Sequence, residues 1–545
     1  MIEYIFNRKD GAMNLYFILV GCVIFICIIL NRFLDKLAIP SLLFFIFLGM
    51  LLGENGVLGV VFNDYHIAEM ICSTSLIFIM FYGGFGTNLT IAKPVVVKSV
   101  VLSTLGVLLT ALSVAGFVYY VLDCTWLESL LIGSVISSTD ATSVFNILRS
   151  RNLSLKYGTD SLLEIESGSN DPVSYMLTIS VIMLMSGQDI SLPIMIFQQV
   201  VFGIICGLCI GKINVKILNS TKISESYEHT VLIFASTLVS YAFAQYIGGN
   251  GYLSVYICGM VIGNSHILYK KYMVHFYEAL TKMAQVLVFF LLGLLVTPLE
   301  LPEVILPAIL IMLFLTFVAR PLAITILLSV FRSPKQQILV TSFAGLRGVA
   351  SIVFAIYAML YHIDLPFNLF NLVFCIVLFS LSFQGTLLPW VANKCHMIDT
   401  QLSVHRTFND YQENSDMSFI KIKIDDNHHW KNMKIKDIGH FNDLLVVLIA
   451  RNKQIIVPNG DTQILVGDLL VMAAKSFENK DNIQICETHI HASHKWKNKH
   501  VQEISLPKNQ LIIMIERNGN SIVPNGHTTI YENDILVIIH TKETL

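Results

Sequence analysis

The sequence predicts an all-α polytopic membrane protein of about thirteen transmembrane helices, followed by two small α+β domains in tandem at the C-terminus. Three observations lead to this fold class. Hydrophobic residues make up 54% of the chain and charged residues only 14%, whereas soluble proteins carry about 25% charged residues. The apolar residues form long runs between Leu15 and Trp390, and the polar remainder contains an internal repeat. The net charge of −2 gives no reason to expect a nucleic-acid partner.

Long apolar runs mark the transmembrane segments, because a helix needs about 20 apolar residues to cross the hydrocarbon core of a bilayer. The ninth run is short and begins at Gly249, Asn250 and Gly251. We predict spans one to thirteen near residues 15–31, 40–60, 66–86, 97–121, 127–148, 159–186, 191–211, 228–247, 251–265, 282–299, 304–331, 337–361 and 367–392.

The loop charges predict the orientation of these spans. With the N-terminus outside, the outer loops contain acidic residues and no Lys or Arg, and only Arg8 and Lys9 at the extreme N-terminus oppose the pattern. This separation follows the positive-inside rule and places the tail after Lys394 in the cytoplasm of a plasma-membrane protein. The inner loops hold Arg32, Lys36, Lys93, Lys98, Arg149, Arg151, Lys156, Lys212, Lys216, Lys222, Lys270, Lys271, Arg332, Lys335 and Lys394.

The polar remainder contains a tandem repeat. We predict a membrane domain over residues 1–396, a linker over 397–416, and two related domains over 417–480 and 481–545. Each copy shows short β-branched runs broken by Asn-Gly turns, which is typical of small β-rich domains. A constant offset of 66 pairs Trp430 with Trp496, Arg451 with Arg517, Asp468 with Asp534, and the VPNG stretch at Val457 with that at Val523.

Span six contains the densest group of polar residues inside an apolar run. Ionisable groups are costly in hydrocarbon and therefore indicate function. A carboxylate, an amide oxygen and a hydroxyl within two helical turns offer the hard oxygen ligands that dehydrated Na⁺ or K⁺ takes. A polar helix face packed against another span is the alternative. The residues concerned are Glu164, Glu166, Ser167, Asn170 and Asp171, followed by Pro172, which removes a backbone hydrogen bond.

Span five is interrupted by Ser, Thr and Asp residues, which compete with the helix for backbone hydrogen bonds. We expect an unwound segment in mid-membrane whose carbonyl groups and helix ends coordinate cations. An interface of small residues between helices is the alternative. The interrupting residues are Gly133, Ser134, Ser137, Ser138, Thr139, Asp140, Thr142 and Ser143.

Span twelve is the corresponding segment of the second half, if spans one to six and eight to thirteen are two copies. In it, Gly345 and Gly348 flank Arg347. Paired interrupted helices in both halves indicate an inverted-repeat transporter. Arg347 would neutralise helix-end dipoles where the broken helices cross, and a snorkelling arginine is the alternative.

Arg320, next to Pro321 in span eleven, is an isolated charge that needs a partner. We expect that partner to be Glu166, in a structural ion pair that holds span six in place. A lone helix-kink site is the alternative.

These residues resemble a known family, the NhaP-type monovalent cation:proton antiporters, the electroneutral branch related to eukaryotic sodium/proton exchangers. The likeness covers about residues 14–395 and is most specific in Glu166-Ser167-x-x-Asn170-Asp171. Also similar to family stretches are Thr139-Asp140, Arg320, the GLRG of span twelve, IPSLLFFIFLGMLLG and FYGGFGTNL (residues 81–89).

The resemblance implies an inverted-repeat antiporter fold with crossed broken helices, in a lipid-embedded homodimer with a dimerisation domain and a moving core domain. Asp171 would carry proton and cation in alternation. Asn170, Ser167, Thr139 and Asp140 would line the site, and Asp171, Ser167 and Thr139 would be direct ligands of the transported K⁺ or Na⁺. Glu166 and Arg320 would form the structural ion pair.

Two positions of span six bear on how the exchange works. Asn170 stands where electrogenic relatives carry a second Asp, and one carboxylate fewer implies one-for-one electroneutral exchange. The spacer Gly168-Ser169 is smaller than the leucine-rich spacer of eukaryotic relatives, so the shape of the site would differ.

The C-terminal repeats resemble tandem RCK C-terminal (TrkA-C) domains, on their strand pattern and on the stretch from Pro458 to Asp468. In the second copy Gly467 is replaced by Asn533 and Asp461 by His527, so the copies need not bind the same ligand. No Gly-rich dinucleotide fingerprint accompanies them. The resemblance implies a small regulatory ligand, for example a nucleotide such as cyclic di-AMP, at a dimer interface. A purely structural dimerisation role is the alternative.

The expected function is secondary active exchange of K⁺ for H⁺ by alternating access, with Na⁺ as the alternative cation and pH homeostasis as the setting. Potassium is favoured because RCK-type modules usually accompany potassium systems. Exchange needs no covalent chemistry, so neither an enzymatic activity nor a cofactor is expected. A ligand-gated cation channel is the alternative of another class, disfavoured by the broken helices and the lack of a TVGYG-like filter. A mere anchor for a sensor would need no intramembrane carboxylates.

Overall fold

The computed structural model divides into two compact units, Met1–His405 and Arg406–Leu545. Predicted span one, except Gly21 and Phe25, and nearly all of the predicted linker lie outside the described residues. The structure describes Gly21, Phe25 and residues 41–545, except 55, 58, 61, 63, 141–142, 145–146, 149–152, 154, 188–190, 221–224, 266, 268, 362, 364, 399–416, 425–427, 429, 438–443, 452–453, 476–482, 492–493, 505, 508–509, 518–519, 523 and 542–545.

The first unit is helical. In its described part, six helices are long and apolar enough to cross a membrane, and four shorter apolar helices accompany them. In chain order the helices are α1 Ser41–Leu52, α2 Tyr65–Gly86, α3 Val96–Val121, α4 Trp126–Val135, α5 Thr159–Met185, α6 Leu192–Leu218, α7 Ser226–Tyr246, α8 Gly251–Gly263, α9 Lys270–Leu295, α10 Pro298–Val330, α11 Lys335–Phe343, α12 Val349–Leu360 and α13 Leu369–Lys394, with a short turn of helix at Leu89–Ala92.

Each predicted span from two to thirteen coincides with one of these helices or with a broken pair of them. Two boundaries differ clearly. Helix α1 ends at Leu52, because the chain turns there and Gly53 forms a bridge with Val60. Helix α9 begins at Lys270 rather than near 282, because its first turns carry Lys, His and Glu and are too polar to register as an apolar run.

Glycines bring several of these helices into backbone contact. A Cβ atom on Gly49 of α1 would lie 2.2 Å from the Phe290 carbonyl oxygen of α9. A Cβ on Gly259 of α8 would lie 2.4 Å from the Phe81 carbonyl oxygen of α2. Such close approach between small residues is how helices associate in membranes, where no hydrophobic force drives them together.

Three of the long helices contain a π-helical segment, namely Leu102–Gly106 in α3, Leu315–Ala319 in α10 and Ser380–Gly385 in α13. A π segment accommodates one extra residue per turn and so reorients the side chains next to it. The segment in α10 ends immediately before Arg320, and the segment in α13 begins at Ser380.

The second unit contains two four-stranded antiparallel sheets with the same topology, in the orders β1-β4-β2-β3 and β5-β8-β6-β7. An irregularity in register recurs between Val446 and Leu448 and between Ile512 and Met514. The tandem repeat predicted from the constant offset is therefore present in the structure. The strands are β1 Met417–Lys423, β2 Leu444–Arg451, β3 Gln454–Ile456, β4 Leu469–Lys475, β5 Ile483–His489, β6 Gln510–Arg517, β7 Asn520–Ile522 and β8 Ile535–Thr541.

The same ion pair anchors each sheet. Arg451 donates to both carboxylate oxygens of Asp468, at 2.8 and 2.7 Å. Arg517 does the same to Asp534, at 2.8 Å to each oxygen. In both copies the aspartate is fully buried and also accepts a backbone hydrogen bond, from Leu465 or Tyr531.

Candidate functional site

Two breaks in the helices meet inside the first unit. Helix α4 ends at Val135 and the chain is non-helical over 137–140, while α11 ends at Phe343 and the chain is non-helical over 345–348. The two non-helical segments cross, and the Asp140 backbone N–H donates to the Leu346 carbonyl oxygen at 2.8 Å. The crossing of broken helices predicted from spans five and twelve is therefore present.

Arg347 lies at this crossing and is fully buried. Its Nη1 donates to the carbonyl oxygen of Ser137 at 2.8 Å and also to that of Ser138. These carbonyl groups follow the end of α4, where a helix carries partial negative charge. The guanidinium group thus supplies both a donor and a positive charge to oxygens that the break leaves without helical partners.

Glycines leave room for the polar side chains around the crossing. A Cβ atom on Gly348 would lie 2.4 Å from Oδ2 of Asp140, and one on Gly345 would lie 2.1 Å from Nε of Arg320. Contacts this short do not occur between real atoms, so both positions require glycine in this arrangement.

Helix α5 places three predicted site residues against the non-helical part of span five. The Ser167 hydroxyl donates to the Thr139 carbonyl oxygen, and Nδ2 of Asn170 donates to Oγ1 of Thr139 at 2.5 Å. Oδ1 of Asp171 accepts a hydrogen bond from the Ser138 hydroxyl. The structure therefore brings together Thr139, Ser167, Asn170 and Asp171.

The fifth predicted residue, Asp140, lies in the same crossing, and its carboxylate accepts hydrogen bonds from within its own segment. It accepts from the Ser143 hydroxyl at 2.5 Å and from the Ser143 backbone N–H at 3.2 Å. This side chain stabilises the chain as it re-enters helical conformation, in the manner of a helix cap.

The site is enclosed and rich in oxygen. Asp171 is 7% exposed and Asn170 1%. The carbonyl oxygen of the Asn170 side chain has no hydrogen-bond partner among the described residues. A buried acceptor without a donor is rare in native proteins and indicates an oxygen available to something other than protein.

Glu166 and Arg320 are in contact on another face of α5. Nη2 of Arg320 lies 3.0 Å from Oε1 of Glu166, and it also donates to the Thr341 carbonyl oxygen at 3.4 Å. Glu166 and Asp171 are five positions apart on the helix, which turns the two carboxylates away from each other. The ion pair thus links α5 to α10 without entering the group around Asp171.

The neighbouring helix α8 explains why a glycine stands at position 168. A Cβ atom at this position would lie 2.4 Å from Cε2 of Tyr256, whose ring is buried. The small spacer between Ser167 and Asn170 therefore makes room for an aromatic ring beside the site.

Several residues that complete the site were not among the predicted ones. Ser138 was noted only as an interruption of span five, yet it binds Asp171. Asn250, which the sequence showed only as the start of a short span, donates from Nδ2 to the Pro172 carbonyl oxygen at 3.0 Å. Ser380 and Gln384 gave no signal beyond being polar residues in an apolar run.

Comparison with known proteins gives consistent matches. The family model "Sodium/hydrogen exchanger, transmembrane" matches residues 21–394, and the TrkA-C domain model matches residues 419–476 and 487–545. The chain is 34% identical over 377 residues to the K(+)/H(+) antiporter NhaP of Alkalimonas amylolytica, which covers 69% of this chain and 66% of the relative. It is 29% identical over 483 residues to the K(+)/H(+) antiporter NhaP2 of Shewanella baltica, which covers 87% and 83%.

A solved structure shares the fold. The sodium proton antiporter MjNhaP1 from Methanocaldococcus jannaschii at pH 8 superposes with a TM-score of 0.62 at 22% identity, over 70% of this chain and 99% of that one. The family models, the relatives and the crossed broken helices agree. The chain therefore belongs to the transmembrane sodium/hydrogen exchanger family and carries two TrkA-C domains in its tail.

Proposed function

We propose that this antiporter exchanges K⁺ for H⁺, one for one, with Asp171 as the carrier of both ions. The observation that carries the proposal is the surrounding of the Asp171 carboxylate. It is buried at the crossing of two broken helices and accepts a hydrogen bond from Ser138, while Ser167 and Asn170 of the same helix donate to oxygens of the adjacent Thr139. Carboxylate, carbonyl and hydroxyl oxygens are the ligands expected for a dehydrated alkali cation.

Exchange follows from competition at one group. A buried carboxyl group holds either a proton or, once ionised, a cation, because an uncompensated negative charge in a low-dielectric interior is costly. Access to Asp171 from one side of the membrane at a time then couples the two fluxes. The moving part would be the core domain that contains the interrupted segments 137–140 and 345–348, which carry the site with them.

Neutral Asn170 supports the one-for-one ratio. The amide adds an oxygen to the site without adding a second negative charge. The Asp140 carboxylate is engaged with Ser143, and Glu166 is paired with Arg320. This leaves Asp171 as the carboxylate whose charge a bound cation or proton would balance.

Potassium is proposed as the cation because the relatives that share most of the chain, tail included, are named K(+)/H(+) antiporters. Sodium is the second candidate, since the archaeal Na(+)/H(+) antiporter 1 is 26% identical over 340 residues. The residues around Asp171 offer oxygens to both ions.

We further propose the setting in which the exchanger works. The loop charges support a plasma-membrane protein with its N-terminus outside and the tail in the cytoplasm. Residues 1–396 would form the transport domain, working as a homodimer in lipid. The TrkA-C domains, residues 417–480 and 481–545 after the linker at 397–416, would bind a small regulatory ligand such as a nucleotide.

Proton flux in proteoliposomes, with K⁺ and Na⁺ supplied separately at several pH values, tests the proposal. We expect saturable K⁺-driven proton movement that Asp171→Asn reduces to the background of empty liposomes. Asp123→Asn, the same change at an exposed loop residue, should leave it unaltered. Exchange of wild-type size in Asp171→Asn would refute the role of this residue, and flux that needs no counter-ion would indicate a channel instead.

A further inference from the structure

Two side chains of α13 are inserted into the break of span twelve. The Arg347 backbone N–H donates to Oγ of Ser380 at 3.1 Å, and the Ser380 hydroxyl donates to Oε1 of Gln384 at 2.6 Å. Nε2 of Gln384 reaches the Phe343 carbonyl oxygen at 3.5 Å. Ser380 is 0% and Gln384 2% exposed, so water does not compete for these groups.

The bridge formed by Ser380 and Gln384 connects the two backbone groups that an uninterrupted helix would join by a hydrogen bond. In a continuous α-helix the N–H of residue 347 would donate to the carbonyl oxygen of residue 343. The break separates these two groups, and each would otherwise be buried without a partner. Ser380 takes up the Arg347 N–H and Gln384 takes up the Phe343 carbonyl, with a hydrogen bond joining the two side chains.

The π-helical segment Ser380–Gly385 contains both members of the bridge. Such a segment is less favourable than α-helix and tends to occur where function requires it. Ser382 belongs to the same segment but is exposed, so the segment also offers a serine that lies away from the break.

The bridge continues to the candidate ion site through Arg347. Its Nη1 caps the carbonyl groups of Ser137 and Ser138, and Ser138 in turn binds Asp171. Nε and Nη2 of Arg347 have no hydrogen-bond partner among the described residues. Within the described part of the chain the guanidinium group is therefore held by hydrogen bonds through Nη1 alone, and the backbone N–H anchored by Ser380 fixes the position of the residue itself.

We propose that Ser380 and Gln384 are positioning residues of the cation site. They fix the break of span twelve so that Arg347 holds the Ser137–Thr139 backbone in the arrangement that binds the cation at Asp171. This inference rests on the proposed role of Asp171. Neither residue touches the ion, and both act through Arg347.

The test is the exchange assay on the full chain, with wild type and Asp171→Asn alongside. Loss of the hydroxyl in Ser380→Ala leaves the Arg347 N–H unpaired and lowers the population of the binding arrangement, so we expect the KM for K⁺ to rise about tenfold with turnover nearly unchanged. Weaker cation binding lets protons compete better, so activity at fixed K⁺ should shift to higher pH. Ser380→Thr, which keeps the hydroxyl, should restore both values.

Ser382→Ala is the matched control and should behave as wild type. Should Ser380→Ala fail to fold, Gln384→Met removes the other end of the bridge and should give the same changes in KM and pH profile. A folded Ser380→Ala or Gln384→Met with the wild-type KM and pH profile overturns the inference. Failure of the proposed function is distinguishable, because it would show as absent exchange in wild type or intact exchange in Asp171→Asn.

Discussion

Glu166 and Arg320 form an ion pair whose two side chains are only 3% and 5% exposed. Transfer of each charge from water into a low-dielectric interior costs several kcal/mol, and their attraction offsets that cost only while both are present. The pair joins α5, which carries Asp171, to α10 just after its π-helical segment. A substitution of either partner therefore disturbs the contact between α5 and α10 that supports the candidate site, and it leaves the predicted ion ligands themselves in place.

Arg320→Met leaves the Glu166 carboxylate buried and uncompensated. We expect a loss of about 3–5 kcal/mol in stability, measured as a lower unfolding temperature of the detergent-solubilised protein. The double variant Glu166→Gln/Arg320→Met should recover most of this loss because no buried charge remains. Lys282→Met, which breaks the exposed Lys282–Glu278 pair, should cost less than about 1 kcal/mol. Equal stability of Arg320→Met and Lys282→Met would contradict the structural role.

The residue types in the sequence indicated the side chains of the candidate site, but not the other groups to which those side chains are hydrogen-bonded. Thr139, Asn170 and Asp171 stand out because polar residues are rare inside apolar runs. The Leu346 carbonyl oxygen, which accepts from Asp140, is backbone and leaves no trace in the sequence. Ser380 lies far along the chain, and a lone serine is tolerated in any membrane helix, so only the fold shows what it binds.

At the scale of elements, the crossing of the two broken helices depends on glycines, which have no Cβ atom. The non-helical segments 137–140 and 345–348 cross with a direct backbone hydrogen bond between Asp140 and Leu346, which is feasible only if nothing bulky separates them. Gly348 faces the Asp140 carboxylate and Gly345 faces Arg320. The glycines of span twelve thus make room for the charged groups of its neighbours.

Gly348→Ala tests this packing. Its methyl group would lie 2.4 Å from Oδ2 of Asp140, and such overpacking typically costs about 1–3 kcal/mol. We expect at least about a tenfold loss of exchange, because the crossing must deform to accept the methyl group. Gly116→Ala is the control, since nothing lies within 4 Å of a Cβ at that position of α3. Full activity in Gly348→Ala would show that the crossing is more tolerant than its geometry indicates.

Apolar runs, and the polar residues that interrupt them, predicted the helices well in the middle of the membrane and poorly near its two surfaces. The breaks in spans five and twelve were predicted from Ser, Thr, Asp and Gly in apolar runs. The start of α9 was placed near 282 instead of at Lys270, because hydropathy does not detect a polar helix that extends beyond the apolar run. The π-helical segments were not predicted, since apolar composition is the same whether the turn holds 3.6 residues or more.

At the scale of the whole molecule, the two units are stabilised by different chemistry. The membrane unit relies on close helix packing and on buried polar contacts. Each tail domain has a small core, such as Ile449, Ile464 and Leu470 in the first copy, with a buried aspartate anchored by arginine. The constant offset of the repeat predicted that Arg451 and Asp468 recur as Arg517 and Asp534, but the ion pairs between them were not predicted.

We therefore expect acid to destabilise the first tail domain by protonating Asp468. The hydrogen bonds from Arg451 hold the pKa of this carboxyl below its usual value. A carboxyl with a lowered folded-state pKa stabilises the domain fully above its unfolded pKa of about 3.9, and the contribution is lost as the pH falls through the folded value. We expect the first tail domain to lose stability steadily below about pH 5.

Asp468→Asn should remove this pH dependence and lower the stability of the domain at neutral pH by about 1.5–3 kcal/mol, the value of hydrogen bonds to a charged group. Fluorescence of Trp430, which packs in the first domain, reports its unfolding in a chain whose other tryptophans, Trp126, Trp390 and Trp496, are replaced by Phe. Asp461→Asn is the control, because that aspartate is exposed and water screens its ion pairs with Lys434 and Lys436, so its loss should shift the transition far less. An acid transition that persists unchanged in Asp468→Asn would mean that another group sets the acid sensitivity of the tail.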